Sequence, residues 1–236
     1  IQTLLLPKRP TLDHCEVAGR MVTATEVGGD YYDIIESQSG RTLLAIGDVS
    51  GHGVSSGLTM MMARTALVGA LESAPGSSRA EMYRVLNRCI AQSLNRMELS
   101  MFMTFALIES LGAGRYAAVG QHLPLLVYRR ATRTVEEIDL SGIWLGVLPE
   151  IEDSHIEETR FALGPGDVLF LYTDGVIERF GAAGMFGFER LKGLIVDHAE
   201  AGPNVLIDEV LGALGRFSTT QEDDVTMLVV RYAGSA

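Results

Sequence analysis

The chain has 236 residues, 47% of them hydrophobic, and carries a formal net charge of −11. This length and apolar fraction predict a folded protein with a substantial core and exclude an intrinsically disordered chain. The negative charge disfavours binding to the phosphate backbone of a nucleic acid, which requires clustered lysine and arginine. Bound divalent cations would neutralise part of this charge.

The cysteines and the apolar segments indicate a cytoplasmic protein. Cys15 and Cys89 lie far apart and neither belongs to a CxxC pair, which is typical of reduced thiols. The longest apolar region, residues 58–71, contains Arg64 and is too short to span a bilayer, so no membrane segment is expected. Because the first residue is Ile1 rather than methionine, we interpret the chain as a piece of a longer protein.

The first half of the chain begins with apolar residues 1–6, which we interpret as the tail of an incoming helix. Apolar runs bounded by turn residues then predict three strands, at residues 16–24, 31–36 and 41–47. Over residues 54–72 the apolar spacing changes to about 3.6, which predicts a mostly buried helix. Ser78 is a suitable N-cap for a second helix over residues 79–97.

The second half contains short strands separated by glycine, proline and charged turns. Four of them, which we interpret as an antiparallel meander, are residues 102–109, 115–119, 125–130 and 135–140. Further strands are predicted at residues 155–162, 168–173 and 225–232, and helices at 188–199 and 203–217. No repeat or linker interrupts the pattern, so residues 1–236 are predicted to form one α+β domain with antiparallel sheets flanked by helices.

Three apolar strands each carry an aspartate at one end. Asp48 ends the strand at 41–47, Asp174 follows the strand at 168–173, and the pair Asp223-Asp224 precedes the last strand. A single aspartate at a strand end is usually a turn former. Three of them, together with two glycine-rich turns, predict carboxylates that converge at one rim of a sheet, where they repel one another unless cations hold them.

The ligand chemistry favours hard cations. Carboxylate oxygens suit Mg²⁺ or Mn²⁺ better than Zn²⁺, and the chain lacks an HExxH motif and a Walker-type phosphate loop. What remains is water activated by metal, in which two divalent ions about 3.5–4 Å apart clamp a phosphoryl group.

Four segments carry a resemblance to a known family. Residues 26–33, 47–53, 172–178 and 223–226 read EVGGDYYD, GDVSGHG, YTDGVIE and DDVT. They resemble the four motifs of SpoIIE-type serine phosphatases, which belong to the PPM superfamily of metal-dependent protein phosphatases. The motifs occur in the family's order, and the resemblance extends over residues 5–232.

The resemblance implies a sandwich of two antiparallel sheets with a helix pair on each outer face and two Mn²⁺ or Mg²⁺ ions at one end. Asp48 would bridge both ions, with the Val49 carbonyl on one of them. Asp174 and Asp223 would hold the other ion, and Asp30 would bind directly or through water. A hydroxide held between the ions would then attack phosphorus in line. Asp224 is the alternative to Asp223 as the ligand.

Other residues of these motifs have two interpretations. His52 is a candidate general acid for the departing serine oxygen, or a turn residue that shapes the start of the helix. Glu26 and Asp33 are candidates for groups that support the ligands, or ordinary strand residues. His122 lies in the sequence QHLP, where family members usually have Gly-His-Asn-Pro, and we assign it no role.

By the same resemblance the chain is a protein serine/threonine phosphatase acting on a bacterial signalling protein. The implied substrate is a phosphorylated STAS-domain anti-sigma-factor antagonist. An upstream sensory or regulatory domain would act through the helix at 54–72, and a homodimer is possible. Two alternatives remain: a catalytically inactive phosphatase-like scaffold, and a cyclic-dinucleotide synthase with Gly28-Gly29-Asp30 as its hairpin.

Overall fold

Residues 12–182 and 184–234 are described by a computed structural model of the chain. Within these ranges the strands are β1 (Cys15–Val22), β2 (Tyr31–Glu36), β3 (Thr42–Val49), β4 (Met103–Ser110), β5 (Arg115–Gln121), β6 (Leu125–Arg129), β7 (Thr134–Ile138), β8 (Thr159–Ala162), β9 (Val168–Tyr172), β10 (Phe180–Gly181), β11 (Gly184–Met185) and β12 (Val225–Tyr232). The α-helices are α1 (Val54–Ser73), α2 (Arg79–Arg96), α3 (Gly187–His198) and α4 (Pro203–Phe217). The helix tail predicted at residues 1–6 lies outside the described residues.

The strands form two five-stranded antiparallel sheets and one small hairpin. The first sheet has the order β1-β12-β9-β6-β7, and the second sheet has the order β2-β3-β4-β5-β8. Their inner faces are lined by alternate residues such as Leu44, Ile46, Leu169 and Leu228, which pack together in one buried cluster. The predicted α+β fold and the two-sheet sandwich that the resemblance implies are therefore confirmed.

A helix pair covers the outer face of each sheet. α1 and α2 pack on the second sheet through a cluster that includes Met60, Leu67 and Tyr83, and α3 and α4 pack on the first sheet. Ser78 caps α2 as predicted, since its hydroxyl accepts a hydrogen bond from the Glu81 N–H at 3.2 Å while the Glu81 carboxylate accepts from the Ser78 N–H at 2.6 Å.

The buried face of α1 differs from the one predicted. Leu58 and Met61, which lie on the 3.6-residue spacing that predicted this helix, are 48% and 38% exposed, whereas the small residues Ser56 and Gly57 are buried. α1 is apolar on every side, so its spacing does not select one face. Within the described residues it is also the one helix long and apolar enough, by length and composition alone, to cross a membrane; here it packs against α2 and β3.

Two strand predictions are wrong in part. The strands at 102–140 do not form a meander, because β4 and β5 lie in the second sheet whereas β6 and β7 lie in the first. Short turns indicate that consecutive strands lie near each other, but they do not determine which of the two sheets each strand joins. The strand expected at 155–162 is confined to β8, since Asp153–His155 forms a 3₁₀ turn.

Candidate metal centre

Strand ends of both sheets meet at one end of the sandwich. In the second sheet β2 starts and β3 ends there, and Tyr31 pairs with Gly47 across the two strands. Asp30 and Asp48 stand next to this pair, so the antiparallel register places them opposite each other. In the first sheet the end of β9 lies beside the start of β12, because these two strands also run antiparallel. The hydrogen bond between Thr173 and Asp30 brings these ends to the same end of the sandwich.

Thr173 joins the two sheets at this end. Its hydroxyl donates a hydrogen bond to Asp30 Oδ2 at 2.8 Å and accepts one from the backbone N–H of Thr226 at 3.0 Å. Thr173 is fully buried and immediately precedes Asp174. The bond therefore fixes the start of β2 against the end of β9, and with it the separation of Asp30 from Asp174.

Asp48 is at the electrostatic centre of the cluster. Burial raises the pKa of its carboxyl group from 3.8 to about 9, and the negative charges of Asp30, Asp174 and Asp223 add to this rise. The charges that act most strongly on Asp48 are thus all negative and come from both sheets. The four aspartates singled out in the sequence analysis therefore act on one another electrostatically at this end of the sandwich.

The neighbouring carboxyl groups are perturbed in the same direction. Burial raises the pKa of Asp30 to about 8, against the effect of the bond from Thr173. Burial also raises the pKa of Asp174 to about 6, and the charge of Asp223 increases that shift. Each carboxylate is therefore costly to ionise beside the others, which is the electrostatic signature of a cation site or a catalytic acid–base group.

Asp223 and Asp224 have different surroundings. Asp224 is buried, its Oδ1 accepts a hydrogen bond from the Ala24 N–H at 2.8 Å, and a Cβ built on Gly28 would collide with its carboxylate. This residue holds the segment that leads to Asp30. Asp223 is more exposed, and its charge acts on both Asp48 and Asp174. The geometry therefore favours Asp223 as the ligand.

The Gly28-Gly29 turn makes room for oxygen donors. A Cβ built on Gly29 would lie 2.8 Å from the Val49 carbonyl oxygen and 3.3 Å from Asp48 Oδ1. Any side chain at position 29 would press on the two groups expected to face the first ion. Glycine is required here by close approach to the Asp48-Val49 turn.

The remaining motif residues divide into near and distant groups. His52 lies in the exposed turn before α1, and its charge opposes the burial-driven rise in the pKa of Asp223. Asp33 is buried but engaged elsewhere, since it accepts hydrogen bonds from Arg64 Nε and from the Tyr31 hydroxyl, each at 3.1 Å. Glu26 is exposed.

His122, to which the sequence assigned no role, is part of the framework that holds the site. Its Nε2–H donates to the Tyr172 carbonyl at 2.9 Å, and Nδ1 then accepts from the Thr104 hydroxyl at 2.9 Å. The Thr104 oxygen accepts in turn from the Asp48 N–H at 3.2 Å. Burial lowers the pKa of His122 to about 4, so the ring is neutral at neutral pH. This chain of bonds connects the end of β3 to the end of β9.

We expect His122→Ala to lower the free energy of unfolding by about 2–4 kcal/mol, since it leaves a cavity and unpaired buried groups. The turnover of p-nitrophenyl phosphate with Mn²⁺ should fall at least about tenfold, because the ends of β3 and β9 lose their fixed separation. Denaturant unfolding and steady-state kinetics measure the two effects.

His198→Ala, which removes a half-buried histidine at the end of α3, is the matched control and should change neither quantity. Thr104→Val breaks the same chain of bonds, so its effect combined with His122→Ala should be less than additive. Equal behaviour of His122→Ala and His198→Ala would contradict the assignment.

The residues at this end fit hard divalent cations by donor chemistry. All five candidate ligands offer oxygen, from four carboxylates and the Val49 carbonyl, and oxygen is what Mg²⁺ and Mn²⁺ prefer. Between residues 12 and 234, Ala183 excepted, no three His, Cys, Asp or Glu side chains are already drawn together as they are around an ion. The carboxylates are close enough to raise one another's pKa, and bound cations would remove that repulsion.

Comparison with known proteins identifies the chain's relatives. The family described as Stage II sporulation protein E (SpoIIE) matches residues 38–233. Phosphoserine phosphatase RsbU of Bacillus subtilis is 27% identical over 98% of this chain and 67% of its own length. The SiaA-PP2C domain of Pseudomonas aeruginosa is 25% identical with a TM-score of 0.80, over 98% of this chain and 92% of that one. The RsbU and RsbW domains of Rv1364c from Mycobacterium tuberculosis are 26% identical with a TM-score of 0.73, over 94% of this chain and 61% of that one.

The two-sheet sandwich with outer helix pairs and an acidic rim is the architecture of PP2C-type, or PPM, phosphatase domains. The chain belongs to the SpoIIE family. This result confirms the resemblance carried by the four motifs. Membership of this family argues against the cyclic-dinucleotide synthase interpretation of Gly28-Gly29-Asp30.

Proposed function

We propose that the chain is a metal-dependent protein serine/threonine phosphatase that hydrolyses phosphoserine or phosphothreonine on a bacterial signalling protein. The observation that carries this proposal is the set of carboxyl groups around Asp48, all with raised pKa and drawn from both sheets. Membership of the SpoIIE family and similarity to a relative named phosphoserine phosphatase support it.

The proposed ligands of two Mn²⁺ or Mg²⁺ ions are Asp48 for both ions, the Val49 carbonyl for one, and Asp174 and Asp223 for the other. Asp30 would bind directly or through water. When bound, such ions supply a nucleophile from water at neutral pH and offset the charge of the phosphoryl group.

The chain's own residues position this chemistry. Thr173 holds Asp30, and the bonds through His122 and Thr104 hold the backbone of Asp48. His52, exposed beside Asp223, either protonates the departing serine oxygen or shapes the turn into α1. Activity of His52→Ala toward p-nitrophenyl phosphate, whose leaving group needs no proton, would separate the two roles.

The proposed substrate is a phosphorylated STAS-domain protein of the anti-sigma-factor antagonist class. The RsbU and SpoIIE likenesses support a place in partner switching. We further propose one phosphatase domain over residues 1–236, a cytoplasmic location, and an upstream regulatory domain in the same protein that acts through α1. A homodimer is compatible with this arrangement.

The test is release of phosphate from a serine-phosphorylated STAS-domain protein in the presence of Mn²⁺, Mg²⁺ or EDTA. The proposal predicts release with a divalent cation and none with EDTA. Absence of release under every metal, with the protein folded and binding its phosphorylated partner, would establish the scaffold alternative instead.

A further inference from the structure

A cavity of about 430 Å³ opens beside the metal centre. Its lining combines the carboxylates of Asp48 and Asp174 with the apolar residues Leu123, Pro124, Leu140 and Trp144. The volume lies within the range of pockets that bind small groups or side chains. A phosphoryl group at the carboxylate end would therefore have its neighbouring atoms against an apolar wall.

Trp144 forms that wall as a fixed platform. Its ring stacks on Phe102 with the ring centroids 4.7 Å apart and an angle of 14° between the planes. The next residue, Leu145, exchanges two backbone hydrogen bonds of 2.9 Å with Met103. Phe102 is in turn bonded to Ser50, through its carbonyl at 2.9 Å and its N–H at 3.0 Å. The platform is thus attached to the turn that follows Asp48.

The indole is available to a partner. Trp144 remains 41% exposed although it is stacked, and it is the single tryptophan of the chain. Partly exposed, rigidly held tryptophans are enriched among the residues that dominate protein–protein binding energy. Burying the open part of the ring would be favourable for any apolar group that reached it.

The charges of the cavity determine what it accepts. Its charged lining consists of Asp48, Asp174 and Asp139, with no lysine or arginine among the lining residues that the structure describes. An acidic side chain would be repelled at Asp139, and a phosphate would be bound only at the cation end. An apolar side chain meets neither obstacle.

We propose that Trp144 and the apolar wall beside it form a substrate subsite that binds an apolar side chain adjacent to the phosphoserine. This inference rests on the proposed phosphatase function and adds a sequence preference to it: apolar residues beside the phosphoserine are favoured and acidic ones are rejected. The subsite determines specificity and takes no part in bond cleavage.

Docking can be measured without turnover. The probes are two phosphoserine peptides of the same sequence, one with leucine and one with aspartate on both sides of the phosphoserine. With Mn²⁺ and the wild-type protein, the peptides carry a phosphonate that cannot be hydrolysed in place of the phosphate, and the leucine peptide is expected to shift the emission of Trp144 at saturation. The aspartate peptide should need at least about a tenfold higher concentration to reach half of this shift, as expected for loss of a hot-spot contact. No shift with the leucine peptide, or equal shifts with both, would overturn the subsite.

Kinetics then separate this inference from the function on which it rests. The wild-type protein should prefer the leucine peptide over the aspartate peptide in kcat/KM, and Trp144→Ala should reduce that preference about tenfold. Val205→Ala, at a 44% exposed position on α4, is the matched control and should preserve the preference. An intact preference in Trp144→Ala would refute the subsite alone. Failure of the wild-type protein to hydrolyse either peptide or p-nitrophenyl phosphate would refute the function, and the emission titration would still decide docking.

Discussion

Asp48→Asn should reduce phosphatase activity by at least about a thousandfold, since it removes the group proposed to hold both cations. The same substitution should make the metal-free protein more stable. Asp48 is held in a half-buried position where three other carboxylates repel it, and each unit by which its pKa is raised costs about 1.4 kcal/mol when the group is ionised. A neutral amide of the same shape relieves this repulsion.

The two effects are measured by phosphate release with Mn²⁺ and by thermal unfolding in EDTA at pH 8. Asp174→Asn should behave in the same way, with a smaller gain in Tm because the pKa of Asp174 is raised only to about 6. Asp197→Asn, on an exposed position of α3, should alter neither measurement. An Asp48→Asn variant that keeps its phosphatase activity, or one that unfolds at a lower temperature in EDTA, is incompatible with the proposed site.

Between pH 6.5 and 8 the metal-free protein should become less stable as the pH rises. The folded-state pKa values of Asp30 and Asp48, about 8 and about 9, lie above their ordinary value of 3.8. The folded state therefore binds more protons than the unfolded state in this window, and the free energy of unfolding falls by up to about 1.4 kcal/mol per pH unit for each such proton. His122 has the opposite effect, because its folded-state pKa is lowered to about 4. Below pH 6.5 the histidine of the unfolded chain is protonated whereas the buried ring is not, so His122 makes the protein less stable as the pH falls.

Mn²⁺ should counteract the loss of stability between pH 6.5 and 8. The carboxyl groups must lose their protons before they bind a cation, so Mn²⁺ binds more tightly at the higher pH. The Tm increase on adding Mn²⁺ should be larger at pH 8 than at pH 6.5, and free metal at about 100 times its Kd should contribute about 2.7 kcal/mol. Asp48→Asn should flatten both dependences, whereas Asp197→Asn should follow the wild type. A metal-free protein whose stability is constant or rises from pH 6.5 to 8 would show that these carboxyl groups are not buried together.

The parts of the fold that follow from local physics were predictable from the sequence. β2, α4 and β12 have the predicted bounds because a turn residue or proline stands at their ends and their apolar pattern is unambiguous. The convergence of Asp48, Asp174 and the pair Asp223-Asp224 was predictable for a related reason. Each follows or precedes a buried apolar run, and antiparallel strands bring such ends to the same rim.

The parts that depend on tertiary packing were not predictable. The chain passes from one sheet to the other between β5 and β6, but the short turn there is no different from a turn within one sheet. The sheet that each strand joins therefore does not follow from the sequence. The buried face of α1 does not follow either, because this helix is apolar on all sides. The role of His122 depends on carbonyl and hydroxyl partners 50 and 18 residues away. The sequence QHLP at residues 121–124 does not indicate these hydrogen-bond partners, and only its likeness to the family's motif draws attention to the histidine.

The pair Asp223-Asp224 shows the same limit at the scale of one residue. Both side chains are carboxylates at the start of β12, and the alternation of a strand does not say which one faces the rim. The structure separates them through the hydrogen bond from Ala24 to Asp224 and the close approach of Gly28, both contributed by a loop about 200 residues earlier in the chain.

The most direct test of the site is a crystal structure of this chain grown with Mn²⁺ and recorded at the manganese absorption edge. Two anomalous peaks about 3.5–4 Å apart are expected, with Asp48 between them and Asp174 and Asp223 on one of the ions. Peaks bound to other residues, or none at this end of the sandwich at saturating Mn²⁺, would contradict a paired-cation centre built on these aspartates.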